Sequence, residues 1–417
     1  MMKVYKVGGS VRDALMGMVP HDHDYVVVGS TPEEMEAQGF SQVGKDFPVY
    51  LHPETNDEYA LARIERKAGL KHTDFETKFD STVTIVDDLR RRDLTINAIA
   101  VPHNFEGEMV DPYGGLKDIE NKVLRHVSEA FAEDPLRILR VARFNARFPD
   151  FKINIMTKIM IDNMVLDGAL DHISKDRIWA ETKKALLTKK PVKYFEVLAF
   201  SGALKYVTNM EEGKYIYSEP FNRVVEATES FSDERKILVR AAEFYGSHWL
   251  SVLSNYKADK KLFIKTLRDA KLPVDIIELA TFVGEHSDFF VSQVWTNSTA
   301  SLVSDFDRLN IRIMVQKNPN FFEDLFLILD AWEVNTKDNL EKIRHMMEAF
   351  LDTKEFLSCE MKRLEWAEAR KPNSEEIKEM IADIKFKNVA AAQSKFWNGI
   401  QFNLYTMAFE EVPLGKR

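Results

Sequence analysis

Up to about residue 127 the chain alternates short apolar runs with short amphipathic or polar segments. The runs KVYKV (3–7), YVVV (25–28), FPVYL (47–51), DEYALAR (57–63), GEMVD (107–111) and KVLRHV (122–127) predict strands, several being rich in β-branched and aromatic residues. Helix signals fall between them. Thr31 suits an N-cap, Pro32 the first helical position, Glu34 completes a capping box, and Gly39 follows the helix end. This predicts an α/β half with a small mixed sheet. From Ser128 onward strand signals nearly vanish. Apolar residues recur instead at helical spacing in EAFAEDPLRILRVARFNARF, DRIWAETKKALL, KYFEVLAFSGAL, FFEDLFLILDAWEV and DNLEKIRHMMEAFL. The second half reads as all-helical, joined without a Gly/Ser linker, so the fold class is α+β.

Composition adds bounds. At 417 residues, 45% hydrophobic and 29% charged, the chain is long enough for two or more domains with sizeable cores. Its single cysteine, Cys359, excludes an intramolecular disulfide and a cysteine-based zinc site, which favours a reducing compartment. No apolar run reaches the roughly 18 residues of a membrane span, and MMKVYKVGGS runs straight into a strand, so a cytoplasmic protein is expected. The formal charge of −9 argues mildly against a polyanionic partner, but local distribution matters more than the sum. Basic clusters occur at LRRRD (89–93), RILRVARFNAR (137–147), 183–184 and 189–190.

Two stretches carry candidate chemistry. HDHDYVVVG (21–29) sets two histidines and two aspartates before a strand-like run. Strand side chains alternate, so Asp22 and Asp24 share one face and His21 and His23 the other. The carboxylates, about 6–7 Å apart at Cα, suit a hard cation such as Mg²⁺; the histidines read as strand or surface residues. Upstream, VGGSVRDALMG (7–17) reads as a strand ending at Gly8 and Gly9, then a short helix carrying Arg12 and Asp13 and stopping at Gly17. The glycine pair lets backbone N–H groups approach a phosphate, and Arg12 adds a fixed charge. The stretch is neither G-x-G-x-x-G nor a Walker A sequence. Taken alone it reads as a tight turn beside a surface arginine.

In combination these stretches resemble the catalytic core of the nucleotidyltransferase (polymerase β-like) superfamily. In order and spacing, GGSVRD, HDHDYVVVG, RRRDLTINAIA, DPYGGLKD and EDPLRILRVARF are similar to the bacterial class II CCA-adding enzymes, densely from residue 3 to about 150 and more loosely to about 207. The resemblance implies a catalytic head at 1–127, a helical neck at 128–207 that recognises the nucleotide base, and a helical body and tail at 208–417 that hold tRNA. The implied activity is template-independent addition of the 3′-terminal CCA from CTP and ATP, with two Mg²⁺ ions on Asp22 and Asp24. Glu58 matches a third carboxylate of related enzymes, although a one-residue register shift would put Asp57 there. Gly8, Gly9 and Arg12 are implied at the nucleotide, and Arg92 and Asp93 around its ribose and triphosphate. Asn97 shapes that loop or meets the nucleotide. DPYGG, with Asp111, looks like a structural connection between head and neck.

A helix expected from about Ala130 to Phe148 carries an apolar stripe of Phe131, Ile138, Leu139, Ala142 and Ala146, with Asp134, Arg137, Arg140 and Arg143 broadly opposite. By resemblance, Asp134 and Arg137 act as a protein template for the base, while Arg140 and Arg143 approach its phosphates and sugar. Asp only accepts and Arg only donates, so the pair suits cytosine and adenine and leaves uracil and guanine mismatched. The polar stretch 64–81 reads as a surface loop; by resemblance it serves the switch from adding C to adding A.

Past residue 207 the only histidines, His248, His286 and His345, are not followed by Asp, so no phosphohydrolase activity is expected. A poly(A) polymerase using ATP alone and a CC-adding enzyme are the nearest alternatives, and a retired RNA-binding protein is a more distant one. The termini lack the basic extensions common in the poly(A) polymerases. A monomer is the default expectation.

Overall fold

The computed structural model describes residues 2–20, 23–43, 49–67, 75–78, 81–103, 107–210, 218–253, 260–291 and 320–331. His21, Asp22, residues 68–74 and 79–80, DNLEKIRHMMEAFL with His345, and Cys359 lie outside the described residues. The chain divides into two compact units, Met1–Glu285 and His286–Arg417, and the boundaries expected at 127 and 207 fall inside the first.

The elements of the first part are β1 (Lys3–Val7), α1 (Gly9–Leu15), β2 (Asp24–Val28), α2 (Pro32–Ala37), β3 (Ser41–Val43), β4 (Val49–Leu51), β5 (Glu58–Leu61), β6 (Ile64–Lys67), β7 (Phe75–Lys78), α3 (Ile85–Arg90), β8 (Ala100–Pro102), α4 (Gly115–Glu120) and β9 (Val123–Leu124). Then follow α5 (Leu136–Arg147), β10 (Lys152–Ile153), α6 (Ile155–Leu166), α7 (Lys175–Leu186), α8 (Val192–Ser201), α9 (Leu204–Thr208), α10 (Ser218–Ala227), α11 (Asp233–Leu253), α12 (Lys260–Asp269) and α13 (Val274–Val291), with α14 (Phe321–Ala331) in the second unit. Among the described residues no helix is long and apolar enough to cross a membrane.

Six strands form one mixed sheet in the order β3-β4-β5-β2-β1-β8, in which β2 runs parallel to β5 and antiparallel to β1. The unbroken YVVV run follows from burial of both faces. Val7 and Val26 pack with Leu89, Ala98 and Ala100 on one side, and Tyr25, Val27, Tyr59 and Leu61 pack with Met35 and Tyr50 on the other. The capping box of α2 forms as its residue types dictate, Thr31 accepting from the Glu34 N–H and Glu34 from the Thr31 N–H.

Several expected elements differ. GEMVD makes one bridge, Val110 to Ala100, because the Asp111 carboxylate then takes the Gly115 and Leu116 N–H groups and turns the chain into α4. KVLRHV contributes the two-residue β9, which pairs with β10 in a separate two-stranded sheet, and an isolated bridge from His126 to Leu94. Within 64–81, expected as a loop, β6 and β7 pair antiparallel, an arrangement that needs no apolar periodicity. The helix expected over 130–148 is broken. A 3₁₀ segment at Glu129–Glu133 stops at Asp134, which Pro135 holds extended at φ −116° and ψ 101°, and α5 begins afresh at Leu136. Burial extends beyond the expected apolar stripe: Arg137, Val141, Phe144 and Asn145 are buried too, because α5 packs against both α7 and α8, while Asp134, Arg140 and Arg143 stay half-buried.

Candidate functional site

The turn between β1 and α1 is shaped by Gly8, at φ 73° and ψ −137°, a conformation that glycine alone adopts without strain. Its bare Cα faces two side chains. A Cβ built there would lie 3.3 Å from Asp24 Oδ2 and 3.1 Å from Arg92 Nη1. Asp24 is the register partner of Glu58 on the adjacent parallel strand, so both side chains leave the same sheet face at its exposed end. Asp57 is turned to the other face and accepts from Thr55 Oγ1 at 2.8 Å. The register question therefore resolves to Glu58. His23 is exposed, and Tyr25 beyond it stacks on Tyr59 in the opposite core.

Arg92 is aimed by Asp88. That carboxylate is fully buried, accepting from Arg91 Nη2 at 2.6 Å and Arg92 Nη2 at 3.2 Å. Burial pushes its pKa up, but the charges of Arg91 and Arg92 and the bond from Arg91 outweigh this and hold it below the ordinary value. The Nε of Arg92 is buried with no hydrogen-bond partner, an unusual state for a charged donor.

A second cluster continues from Asp93, which is 5% exposed. It accepts from Leu94 N at 2.8 Å, Asn97 Nδ2 at 2.9 Å and Arg140 Nε at 2.8 Å. Burial would raise its pKa; the Arg140 charge and these bonds prevail and hold it far below the carboxylate range. Asn97 Oδ1 accepts from Arg12 Nη1, and Arg12 binds Asp13, whose other oxygen takes Arg147 Nη2 at 2.9 Å. A continuous polar chain thus ties α5 through the Thr95–Asn97 turn to α1. Arg12, expected as a surface group on phosphate, is only 2% exposed and lies behind Gly9, whose added Cβ would be 3.4 Å from Arg12 Nη2. Desolvation lowers its pKa, opposed by the Asp13 charge. The glycine turn rests on it.

The third group lies along α5. Arg137 is buried and donates to the carbonyls of Ala130 and Arg91, locking the 3₁₀ segment to the Arg92 loop. Asp134 caps α5 through Leu136 N at 3.2 Å and faces Arg177 Nη2 at 3.5 Å. Arg143 donates to the buried Glu181 at 2.6 Å and lies over the Phe144 ring. Asp88, Arg147, Arg177 and Glu181 were not anticipated. Arg177 and Glu181 carried one legible signal, opposite charges four residues apart on one helix face.

Residues 4–125 match the model of the poly A polymerase head domain, and residues 150–210 match that of the probable RNA and SrmB-binding site of polymerase A. A stretch of 197 residues, 47% of this chain, is 55% identical to a multifunctional CCA protein of Aromatoleum aromaticum. The chain spans about half the length of that relative, 48%. Two solved structures share the fold more widely. The Thermotoga maritima CCA-adding enzyme complexed with tRNA has a TM-score of 0.57 at 23% identity, covering 85% of this chain and 79% of its own. A CCA-adding enzyme complexed with ATP has a TM-score of 0.59 at 22% identity, covering 93% and 86%.

Behind the Thr95–Asn97 turn, DPYGG acts as a buttress. A Cβ at Gly115 would overlap the Thr95 carbonyl, and Asp118 accepts from Thr95 Oγ1 at 2.7 Å and pairs with Arg125. Among the described residues of the head and beyond, no group of three or more His, Cys, Asp or Glu lies close enough to hold a metal ion. Asp24 lies at the glycine turn, and Glu58 stands beside it in register on the neighbouring strand.

Proposed function

We propose that this chain is a template-independent tRNA nucleotidyltransferase that builds or repairs the 3′-terminal CCA with CTP and ATP, releasing pyrophosphate. The observation that carries the reading is the meeting of Asp24 and Arg92 over the bare Cα of Gly8, with Glu58 in register beside Asp24. The relatives support it, being a multifunctional CCA protein and CCA-adding enzymes complexed with tRNA or ATP.

The residues suit Mg²⁺. Asp24 and Glu58 offer hard carboxylate oxygens, and the glycine leaves open beside Asp24 Oδ2 the space that a Cβ would fill. In this reading Asp22, Asp24 and Glu58 hold the ions. Bound Mg²⁺ lowers the pKa of the RNA 3′-hydroxyl and neutralises charge on the leaving pyrophosphate. Gly8 and Gly9 let the nucleotide phosphates approach the backbone, with the Arg12 charge behind the turn. Arg92, whose Nη1 faces the bare Cα of Gly8, donates to those phosphates. Asp93 holds Arg140, and Glu181 holds Arg143, so both guanidiniums are aimed before nucleotide arrives. Asp134 accepts the exocyclic amine of cytosine or adenine, at the edge where uracil and guanine carry a carbonyl. Arg137 fixes the turn beneath. The proposal carries boundaries at 127 and 207, tRNA binding by 208–417, a monomer and a cytoplasmic location.

The test is extension of tRNA lacking its last three nucleotides, with Mg²⁺ and nucleotides supplied singly and together. Two C residues with CTP, then one A when ATP is added, are expected. Unlimited A addition would mean a poly(A) polymerase, two C residues without A a CC-adding enzyme, and no extension despite RNA binding would refute transfer altogether.

A further inference from the structure

The turn between α7 and α8 carries charge that the fold does not use. In a chain whose Asp and Glu outnumber its Lys and Arg by 66 to 57, TKKALLTKKPVKYF (182–195) holds five lysines and no acid. Leu186 and Val192 are buried beneath it, while Lys183, Lys184, Lys189 and Lys190 are exposed. Thr188 Oγ1 donates to the Ala185 carbonyl at 2.6 Å, and the Lys190 N–H donates to the Ala146 carbonyl at 3.1 Å. The lysines therefore stand on a short turn pinned at both ends. A solvated helix end explains only part of the pattern. Lys183 and Lys184 lie in the last turn of α7, where a cation is favoured, and Lys184 reaches Glu181 at 3.6 Å. Lys189, Lys190 and Lys193 gather instead at the start of α8, the end of a helix that disfavours cations, and no acid occupies its first turn. Lys193 reaches Glu196 at 3.7 Å, but among the described residues Lys183, Lys189 and Lys190 meet no carboxylate.

Resting on the nucleotidyl-transfer reading for the identity of the RNA, we infer that the lysines of the α7–α8 turn bind backbone phosphates of the tRNA. This puts phosphate contacts ahead of the region 208–417. Each lysine that neutralises a phosphate releases condensed counterions, so a cluster of exposed, unpaired lysines gains more from a polyanion than from an isolated carboxylate. The position of the turn suits that partner. Ala146, which holds it, lies about 9 Å along α5 from Arg140, and the next residue, Arg147, pairs with Asp13 on α1. The turn thus adjoins the place where α5 meets the helix that follows the glycine turn.

The test is tRNA binding by the full chain between about 50 and 200 mM salt. Wild type is compared with the triple variant Lys183→Gln, Lys189→Gln, Lys190→Gln and with its counterpart carrying arginine at the same three positions. A control, Lys3→Gln, Lys158→Gln, Lys205→Gln, removes the same charge from exposed lysines elsewhere. The first variant is expected to bind roughly tenfold to a hundredfold more weakly at the lowest salt, with the slope of log K against log salt smaller by about 2–3. The arginine variant and the control keep the wild-type slope. In extension kinetics the first variant raises KM for tRNA and not KM for CTP, a split that loss of folding does not produce. An unchanged slope in the first variant, or an equal fall in the control, overturns the inference and leaves the transferase reading standing. So does wild-type binding to phosphatidylserine vesicles that the first variant loses while its tRNA affinity holds, which would make the turn a membrane contact. A wild type that binds tRNA through these lysines yet adds no nucleotide upholds the inference and refutes the transferase reading.

Discussion

Asp93→Asn isolates the polar chain that joins α5 to the glycine turn. Asp93 is 5% exposed, and its Oδ2 takes Arg140 Nε at 2.8 Å and Nη2 at 2.7 Å. Asparagine keeps an acceptor for Leu94 and Asn97 but turns an amide donor toward Arg140. Breaking one side of a buried ion pair costs about 3–5 kcal/mol. The Arg140 side chain is 34% exposed, so water takes over part of its solvation, and a net loss of about 2–4 kcal/mol is expected. The pH dependence has a definite sign. Burial raises the Asp93 pKa, but Arg140 and the hydrogen bonds lower it further, so the folded value lies below the unfolded one, which is about 3.9. Its contribution is therefore present above the unfolded value and is lost as pH falls through the folded one. The variant never has it. Urea unfolding followed by tryptophan fluorescence, with Trp179 on α7 as one reporter, should show a gap between wild type and variant that is constant from about pH 8 to 5 and narrows below about pH 4. A gap under about 1 kcal/mol at neutral pH, or one that persists into acid, would refute the reasoning.

Gly8→Ala forces a side chain into a strained backbone and against Asp24 and Arg92, so a stability loss of about 1–3 kcal/mol with at least a tenfold fall in kcat is expected, checked by denaturation and by extension kinetics. Asp24→Ala should abolish incorporation while tRNA affinity stays near wild type in a filter-binding assay; extension at the wild-type rate would remove Asp24 from the chemistry. Gly115→Ala drives a Cβ into the Thr95 carbonyl, which is backbone and cannot swing away; a loss of about 1–3 kcal/mol is expected in the same unfolding assay. Arg240, 1% exposed, donates to Thr228, Val225, Glu229 and the Leu186 carbonyl, so Arg240→Met, which leaves neutral buried acceptors unpaired while Glu229 stays solvated, should cost about 1–3 kcal/mol and leave nucleotide selectivity unchanged.

Much of this molecule is written locally. The β-branched runs at 3–7 and 24–28, the Thr31/Glu34 capping box and the glycines at 8 and 17 follow from residue types whose conformational preferences act within a few positions, as do the helical periods of α7 and α8. Pro135 also announced the break before α5, but an apolar stripe running through it read as one helix, because periodicity does not register a single extended residue. What only the tertiary structure decided is which charges meet. That Glu58 rather than Asp57 stands beside Asp24 depends on the parallel register of β2 and β5. Arg140 meets Asp93 across 47 positions and Arg177 meets Asp134 across 43, whereas Arg12, exposed in expectation, is buried against Asn97 from 85 positions away. A sequence pattern shows that an arginine exists on a helix face. Whether a buried carboxylate from another element neutralises it, or its N–H groups remain for a ligand, is settled by packing, because the cost of burying a charge depends on partners that only the folded chain brings within hydrogen-bond reach.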